Sequence, residues 1–441
     1  MGLIPRVNII GGGLAGAEAA WHVARAGIDV RLYEMRPSVQ TPVHQTGQLA
    51  ELVCSNSLKS NLRTSSAGLL KEEMRLLGSI VLQCAEEHRV PAGEALAVDR
   101  ERFADCVTER LISLPNLTLI REEVTTIPQD EVTIIASGPL TSNALAAQIS
   151  KLTGMEYLYF YDAVAPTITS ESINYDKAFR ASRYGKGEAA YINCPMNEAE
   201  YDAFWEALVS AERTPIAEFE KKKFFEACMP VEELASRGKQ TLAFGPMKPV
   251  GLEDPETGRR FHAVLQLRQE NAEGTLYGLV GFQTRLKWGE QERVFRMIPG
   301  LENTEFVRFG VMHRNTYIES PKLLLPTLQM REHPNIFFAG QVTGVEGYVE
   351  SAAMGIIAGI NAARLLKSEN LLTLPRESMI GSLTDYISTP QTTNFQPMNA
   401  NFGILPKPEM KIRNKKERQA HQIEIALKSV SDLVEKSAII S

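Results

Sequence analysis

The 441-residue chain is poor in the features that would mark a disulfide scaffold, a metal centre or a membrane anchor. Its five cysteines, at positions 54, 84, 106, 194 and 228, are an odd number at irregular spacing. That argues against a disulfide framework and against a CxxC metal site, and leaves each thiol as packing or chemistry. The seven histidines show no HxH or HExxH spacing, so no metal is expected. No apolar run approaches the ~20 residues needed to span a bilayer. The opening MGLIPRVNII has no charged region ahead of an apolar one and no cleavage site, and Arg6 breaks the myristoylation pattern begun by Met1 and Gly2. A cytoplasmic protein is the expectation. Strong charge of one sign is missing too: the net charge is −6 from 47 basic and 53 acidic residues. This neither demands nor forbids a nucleic-acid partner, because a basic patch can sit on an acidic protein.

What is present begins at residue 6. RVNIIGGGLAGAEAAWHVARAGIDVRLYE reads as strand, tight turn, helix, strand. Val7 to Ile10 form a β-branched apolar run suited to a buried parallel strand. Gly11, Gly13 and Gly16 follow in GxGxxG register, with Gly12, Leu14 and Ala15 between them. The first glycine permits the turn, the second lets backbone approach a pyrophosphate, and the third lets the helix pack on the strand. The helix is expected from Leu14 to Ala26, ending at Gly27, with its N-terminus offered to the phosphates. The second strand ends at Glu34, 21 positions after Gly13, where an acid accepts hydrogen bonds from a ribose 2′-hydroxyl. An acid there points to FAD or NAD.

A later segment bears on that choice. HPNIFFAGQVTGVEGYVESAAMGIIAGINAARLL, residues 333–366, places an apolar strand (Ile336 to Ala339), Gly340, Gln341 and a helix rich in small residues in series. It resembles the late segment of flavoproteins that contacts the flavin. FAD is therefore the expected cofactor, held by Gly11, Gly12, Gly13, Leu14, Ala15, Gly16 and Glu34, and by Gly340 and Gln341. VTIIASG, residues 132–138, reads as another buried strand of the same sheet.

From about residue 160 the texture changes. YLYFYDAVAPTI alternates and is aromatic, AAYINCPMNEAEYDAFWEALVSAE reads as strand then helix with a capping box at Asn197 and Glu200, and EGTLYGLVGF continues as strands and turns. The expected architecture is α/β: a Rossmann-type FAD-binding domain of the two-dinucleotide flavoprotein class (1–160 and 310–441) with an inserted, substrate-facing α/β domain (161–309). Between Lys407 and Arg418 six basic residues face two acids, either a solvated helix face or a phosphate-contacting patch. Lys221, Lys222 and Lys223 form a second basic run, directly before FFEACMP.

Of the cysteines, Cys84 and Cys106 lie in amphipathic helical sequence and read as packing. Cys194 follows a strand and is either core or near-surface. Cys228 sits just before Pro230, at an expected helix boundary, and Cys54 lies in the polar stretch AELVCSNSLKSN; these two are the candidates for chemistry.

Taken in order, GGGLAGAEAA, HQTGQLAELVCSNSLKSN, FFEACMPVEELASRG, TLAFGPMKPVGL, VGFQTRLKWGEQERVFRMIPGLE, VRFGVMHRNTYIESPKLL and FFAGQVTGVEGYVESAAMGIIAG resemble the folate- and FAD-dependent tRNA uracil-5-methyltransferases, the TrmFO family. The resemblance runs from about residue 5 to about 405. It implies formation of 5-methyluridine in the T-loop of tRNA. The methyl carbon would come from 5,10-methylenetetrahydrofolate, and the electrons from a flavin recharged by NADH or NADPH. It also implicates the two cysteines of the motifs VCSNS and EACMP, which are Cys54 and Cys228 here. On that reading Cys228 adds to C6 of uracil, and the enolate formed at C5 captures the folate methylene. A base removes the C5 proton, reduced flavin supplies hydride, and Cys54 stands near the flavin. His313 and Glu51 are candidate proton acceptors. The rival readings are a GidA-like enzyme modifying the tRNA wobble uridine and a small-molecule NAD(P)H-linked flavin oxidoreductase.

Overall fold

The computed structural model describes residues 5–155, 157–185, 188–215, 229–255, 257–390, 395–408 and 412–437. A five-stranded parallel sheet forms the base, in the order Ile336–Phe338, Val132–Ile135, Arg6–Ile10, Asp29–Tyr33, Leu117–Ile120. The Val132–Ile135 and Ile336–Phe338 strands are buried throughout, as parallel strands covered on both faces must be. The chain winds outward on one side from the first strand and then restarts on the other. A crevice therefore opens between Arg6–Ile10 and Val132–Ile135, the switch point where open α/β sheets bind ligands.

Two helices pack on this sheet with almost nothing between them. Leu14–Arg25 lies against Tyr348–Leu366, and a Cβ placed on Gly355 would run into the Ala15 carbonyl and come 2.7 Å from the Ala15 Cα. A Cβ on Gly359 would sit 2.7 Å from the Ala19 carbonyl. The run of small residues read from the sequence is thus the surface of a close backbone approach. Tyr348–Leu366 is also long and apolar enough to cross a membrane, although 78% of its most apolar window is buried inside the fold. Length and hydropathy here describe a core helix.

The inserted part is a six-stranded antiparallel sheet, ordered Phe179–Ala181, Tyr191–Met196, Ala263–Gln269, Leu276–Leu279, Thr167–Thr169, Phe306–Arg308. Helices Glu198–Ser210 and Trp288–Phe295 cover it, and Phe204, Phe282 and Phe295 fill its own core. The expected capping box is present, with the Glu200 amide on the Asn197 side chain at 3.0 Å and the Asn197 amide on the Glu200 carboxylate at 2.9 Å. Cys194 lies within the strand Tyr191–Met196, fully buried, and is a core residue. The two passages between the parts, Leu158–Ala163 and Met312–Tyr317, pair antiparallel with each other. The basic C-terminal stretch leads into the helix Lys415–Ser437, whose Ile423, Ala426 and Val430 are buried. Arg413, Lys415, Lys416 and Arg418 are more open, and Lys411 lies outside the described residues.

Two buried acids cap helices in this framework. Glu18 accepts the amides of Ile80 (3.2 Å) and Val81 (3.1 Å) and the Ser79 hydroxyl. Glu73 accepts the amides of Met379 (2.7 Å) and Ile380 (2.9 Å). Burial outweighs these bonds and raises each carboxyl from its ordinary 4.5 to about 8. A raised folded-state value means the native state holds a proton that the unfolded chain has released. The contribution is complete below pH 4.5 and is lost as pH rises through about 8. Urea unfolding should therefore show stability falling across that window, and the fall should shrink in Glu73→Gln. An unchanged slope in that variant would mean that Glu73 is ionised in the fold.

Candidate functional site

The switch-point crevice is a cleft of about 1090 Å³, a volume that includes the solvent at its open mouth. Gly11 to Ala15, Glu34, Cys54, Ala136 to Gly138, Gly340, Gln341 and Tyr348 all line it. Residues more than 300 positions apart are thereby gathered in one place.

Each glycine has its own reason. Gly11 takes φ +105°, and a Cβ there would sit 2.5 Å from the Ala136 carbonyl. At Gly12 a Cβ would strike the Leu49 side chain and lie 2.8 Å from the Glu34 Oε2. Gly13 has nothing within 4 Å of a Cβ position, which is open space for an incoming group. It is also the N-cap of Leu14–Arg25, and no side chain caps that helix, so its first N–H groups remain for an anion. Gly16 does not line the cleft; a Cβ there would run into the Gly11 carbonyl, so it sets the helix–strand distance. Gly340 takes φ +81°, and a Cβ there would meet the Ala15 Cβ at 2.8 Å. Gln341 Nε2 donates to the Glu346 carboxylate at 2.7 Å.

Glu34 follows the second strand as expected, and the fold uses it heavily. Its Oε2 accepts the Gly12 amide at 3.0 Å, and its Oε1 accepts the Arg36 amide (3.0 Å) and guanidinium (2.9 Å). Burial works to raise this carboxyl, but the hydrogen bonds and charge of Arg36 and the Gly12 amide prevail and hold its pKa below 4.5. Arg36, only 2% exposed, also bonds Glu51 at 2.9 Å. Glu51 in turn accepts the Gln45 amide (2.8 Å) and the Thr46 amide (3.1 Å) and hydroxyl (2.7 Å). A carboxylate so engaged anchors the 45–51 loop, a structural role for one of the two candidate proton acceptors.

Cys54 stands in the cleft wall, half-buried, packed on the cluster of Val43, Val53 and Val164. Its amide donates to the Tyr348 hydroxyl at 2.7 Å, and the Ser55 amide reaches the same oxygen at 3.3 Å. Burial, and then the Cys54 thiol, push the Tyr348 phenol well above its usual 10, so it stays a neutral hydroxyl. Behind the loop, Arg268 donates to Asn56 Oδ1 (2.7 Å) and Ser55 Oγ (2.8 Å), and Arg100 donates to the Leu52 and Val53 carbonyls (3.2 and 3.3 Å). Arg36 and Tyr348 were not singled out from sequence, although Arg36 sits two positions after the ribose acid and Tyr348 opens the late helix. Cys228 and Lys221 to Lys223 lie outside the described residues, as does the His313 side chain, whose backbone runs in the Met312–Tyr317 strand.

Two substitutions test these supports. Glu34→Ala leaves the buried Arg36 with one carboxylate partner fewer and should cost about 3 kcal/mol of unfolding free energy, together with retention of bound flavin. Urea titration and flavin absorbance measure both. Tyr348→Phe removes the acceptor of two amides, costing about 1–3 kcal/mol, and should speed alkylation of Cys54 by iodoacetamide.

Residues 6–370 match the family model described as Glucose inhibited division protein A. Over 434 residues the chain is 61% identical to the methylenetetrahydrofolate--tRNA-(uracil-5-)-methyltransferase TrmFO of Desulforamulus reducens, covering 98% of each chain. To the protein of the same name from Bacillus subtilis it is 60% identical over 427 residues, covering 97% of this chain and 98% of that one. Among solved structures, GidA of Aquifex aeolicus superposes with a TM-score of 0.73 at 17% identity, over 99% of this chain and 76% of that one, which shows a shared fold. Matched along nearly its whole length at such identity, the chain belongs to the TrmFO family.

Proposed function

We propose that the protein is an FAD-dependent methylenetetrahydrofolate--tRNA uracil-5-methyltransferase of the cytoplasm, forming 5-methyluridine in the T-loop with NADH or NADPH as the electron source. The observation that carries this reading is the Cys54 thiol in the wall of the dinucleotide cleft, in a chain 61% identical to a relative bearing that activity in its name. The residues present fit FAD. An uncapped helix N-terminus faces open space at Gly13, Glu34 lies beside the glycine loop, and Gly340 and Tyr348 share the same cleft. When bound, the flavin supplies the hydride that turns a methylene into a methyl group.

The rest falls to side chains. C5 of uracil is a weak nucleophile, and a thiolate added at C6 makes it an enolate able to take the folate methylene. Cys228, which follows the Lys221 to Lys223 run in the sequence of the expected insert, is assigned that addition. Cys54 is assigned to protect or assist from the cleft wall, held in place through its amide by Tyr348. With Glu51 fully engaged by Arg36, Gln45 and Thr46, His313 is the better candidate to take the C5 proton.

The test is direct. Purified protein with FAD, NADPH and labelled methylenetetrahydrofolate should label a T-loop uridine in undermodified tRNA. Label at the wobble position, or NADPH turnover with no label, would overturn the reading. Cys228→Ala should lower methylation by a factor of about 10³ or more, with NADPH still reducing the flavin; unchanged methylation would move the nucleophile elsewhere.

A further inference from the structure

Two cysteines that line no part of the cleft stand in contact. Cys106 Sγ lies 2.7 Å from Cys84 Sγ, between helices Ile80–Glu87 and Arg100–Ile112. That is less than an ångström beyond the ~2.05 Å of a disulfide bond. The two thiols differ in access: Cys84 is fully buried, and Cys106 is half-buried. This is the arrangement of one thiol that an oxidant reaches and a second that resolves it. Arg110 lies one turn beyond Cys106, close enough for its charge to act on both sulfurs, and Glu87 fixes its guanidinium at 2.5 and 2.6 Å.

The same corner offers a rival use. Glu87, His88 and Cys106 have ligand atoms within 4.8 Å of one another. Arg110 weighs against a metal there, since it occupies the Glu87 carboxylate and sets a positive charge where a dication would bind.

We propose that Cys84 and Cys106 are a site of reversible oxidative modification by peroxide, closing to an intramolecular disulfide. The Cys106 thiolate attacks one peroxide oxygen and the O–O bond breaks. Sulfur is oxidised to the sulfenic acid, and the peroxide is reduced to hydroxide, which takes up the proton released by Cys106 and leaves as water. Cys84 Sγ then attacks the sulfenic sulfur. The S–O bond breaks, and the departing hydroxide takes the Cys84 proton as a second water. Two thiols and one hydrogen peroxide thus give one disulfide and two waters.

The consequence lies in what the two helices support. Arg100–Ile112 holds the cleft loop, through Arg100 on the Leu52 and Val53 carbonyls and through Thr108 Oγ1, which accepts the Leu49 amide at 2.9 Å. Ile80–Glu87 is capped by Glu18 of the dinucleotide helix. The cross-link joins two supports of the cleft while leaving Cys54 a thiol.

Peptide mapping of the full-length protein after limited hydrogen peroxide, alkylation and digestion tests this. A Cys84–Cys106 linked peptide two hydrogens lighter than the reduced pair should appear, vanish with dithiothreitol, and accompany a raised melting temperature. In Cys106→Ser the linked peptide should be absent. The proposal falls if both thiols stay alkylatable at doses that oxidise Cys54. It falls equally if Cys106 proceeds to sulfinic acid beside an unchanged Cys84, or if stoichiometric zinc in the purified protein blocks the cross-link. Because the mapping uses the unsubstituted protein, a poorly folding variant does not hide the answer.

Discussion

The site depends on two helices touching backbone to backbone. Leu14–Arg25 begins at the glycine loop and Tyr348–Leu366 begins beside the Cys54 loop, so their separation decides whether these groups share one cleft. Gly355 and Gly359 set that separation against Ala15 and Ala19, and Gly340, ahead of the second helix, lets its own turn approach Ala15 as closely. A β-carbon at Gly355 would need the space of the Ala15 carbonyl. Core interiors pack too densely to absorb such an intrusion, and the whole helix would have to shift. Without bulky side chains to interlock, the pair gains its energy from many short dispersion contacts.

On that frame the Cys54 loop is fixed by polar contacts rather than by apolar filling. The Tyr348 hydroxyl receives two successive amides, Arg100 takes two successive carbonyls, and Arg268 reaches across from the insert to Ser55 and Asn56. Arg100 also pairs with Glu270 of the insert at 2.7 Å. These bonds are worth more than their surface equivalents because the groups are mostly withdrawn from water. They also mean that the insert and the dinucleotide unit share responsibility for where one thiol sits.

Much of this was legible in the sequence. The strand–glycine–helix–strand–acid series gave the first unit to within a residue at each end, because every step has a local cause: β-branched burial, positive φ, a helix stop at Gly27. The late segment was readable for the same reason, except that a short turn and Gly347 precede the helix, which starts at Tyr348 rather than soon after Gly340. What stayed hidden was long-range. Nothing local tells that Arg36 would bridge Glu34 and Glu51, that Glu73 would cap a helix 306 positions away, or that Cys84 and Cys106 would meet across two helices. Periodicity marked those two cysteines as packing, and Cys84 does lie in the core with Cys106 packed against it, but nothing local tells that their sulfurs stand 2.7 Å apart.

The cysteines also show how environment sorts identical side chains. Cys194 is sealed in the core of the insert, and burial pushes its thiol far up, which makes it inert. Cys84 is sealed as well, and burial followed by its sulfur neighbour pushes it up, which confines its reactivity to the Cys106 sulfur it touches. Cys54 is half-buried at a cleft wall, within electrostatic reach of the Arg308 guanidinium, which itself donates to the Val43 carbonyl of that wall at 3.1 Å. Opening to a cleft gives a thiol access to a ligand, which full enclosure by aliphatic carbon denies. The polar sequence around Cys54 is therefore the set of donors and acceptors that holds its loop at the cleft wall.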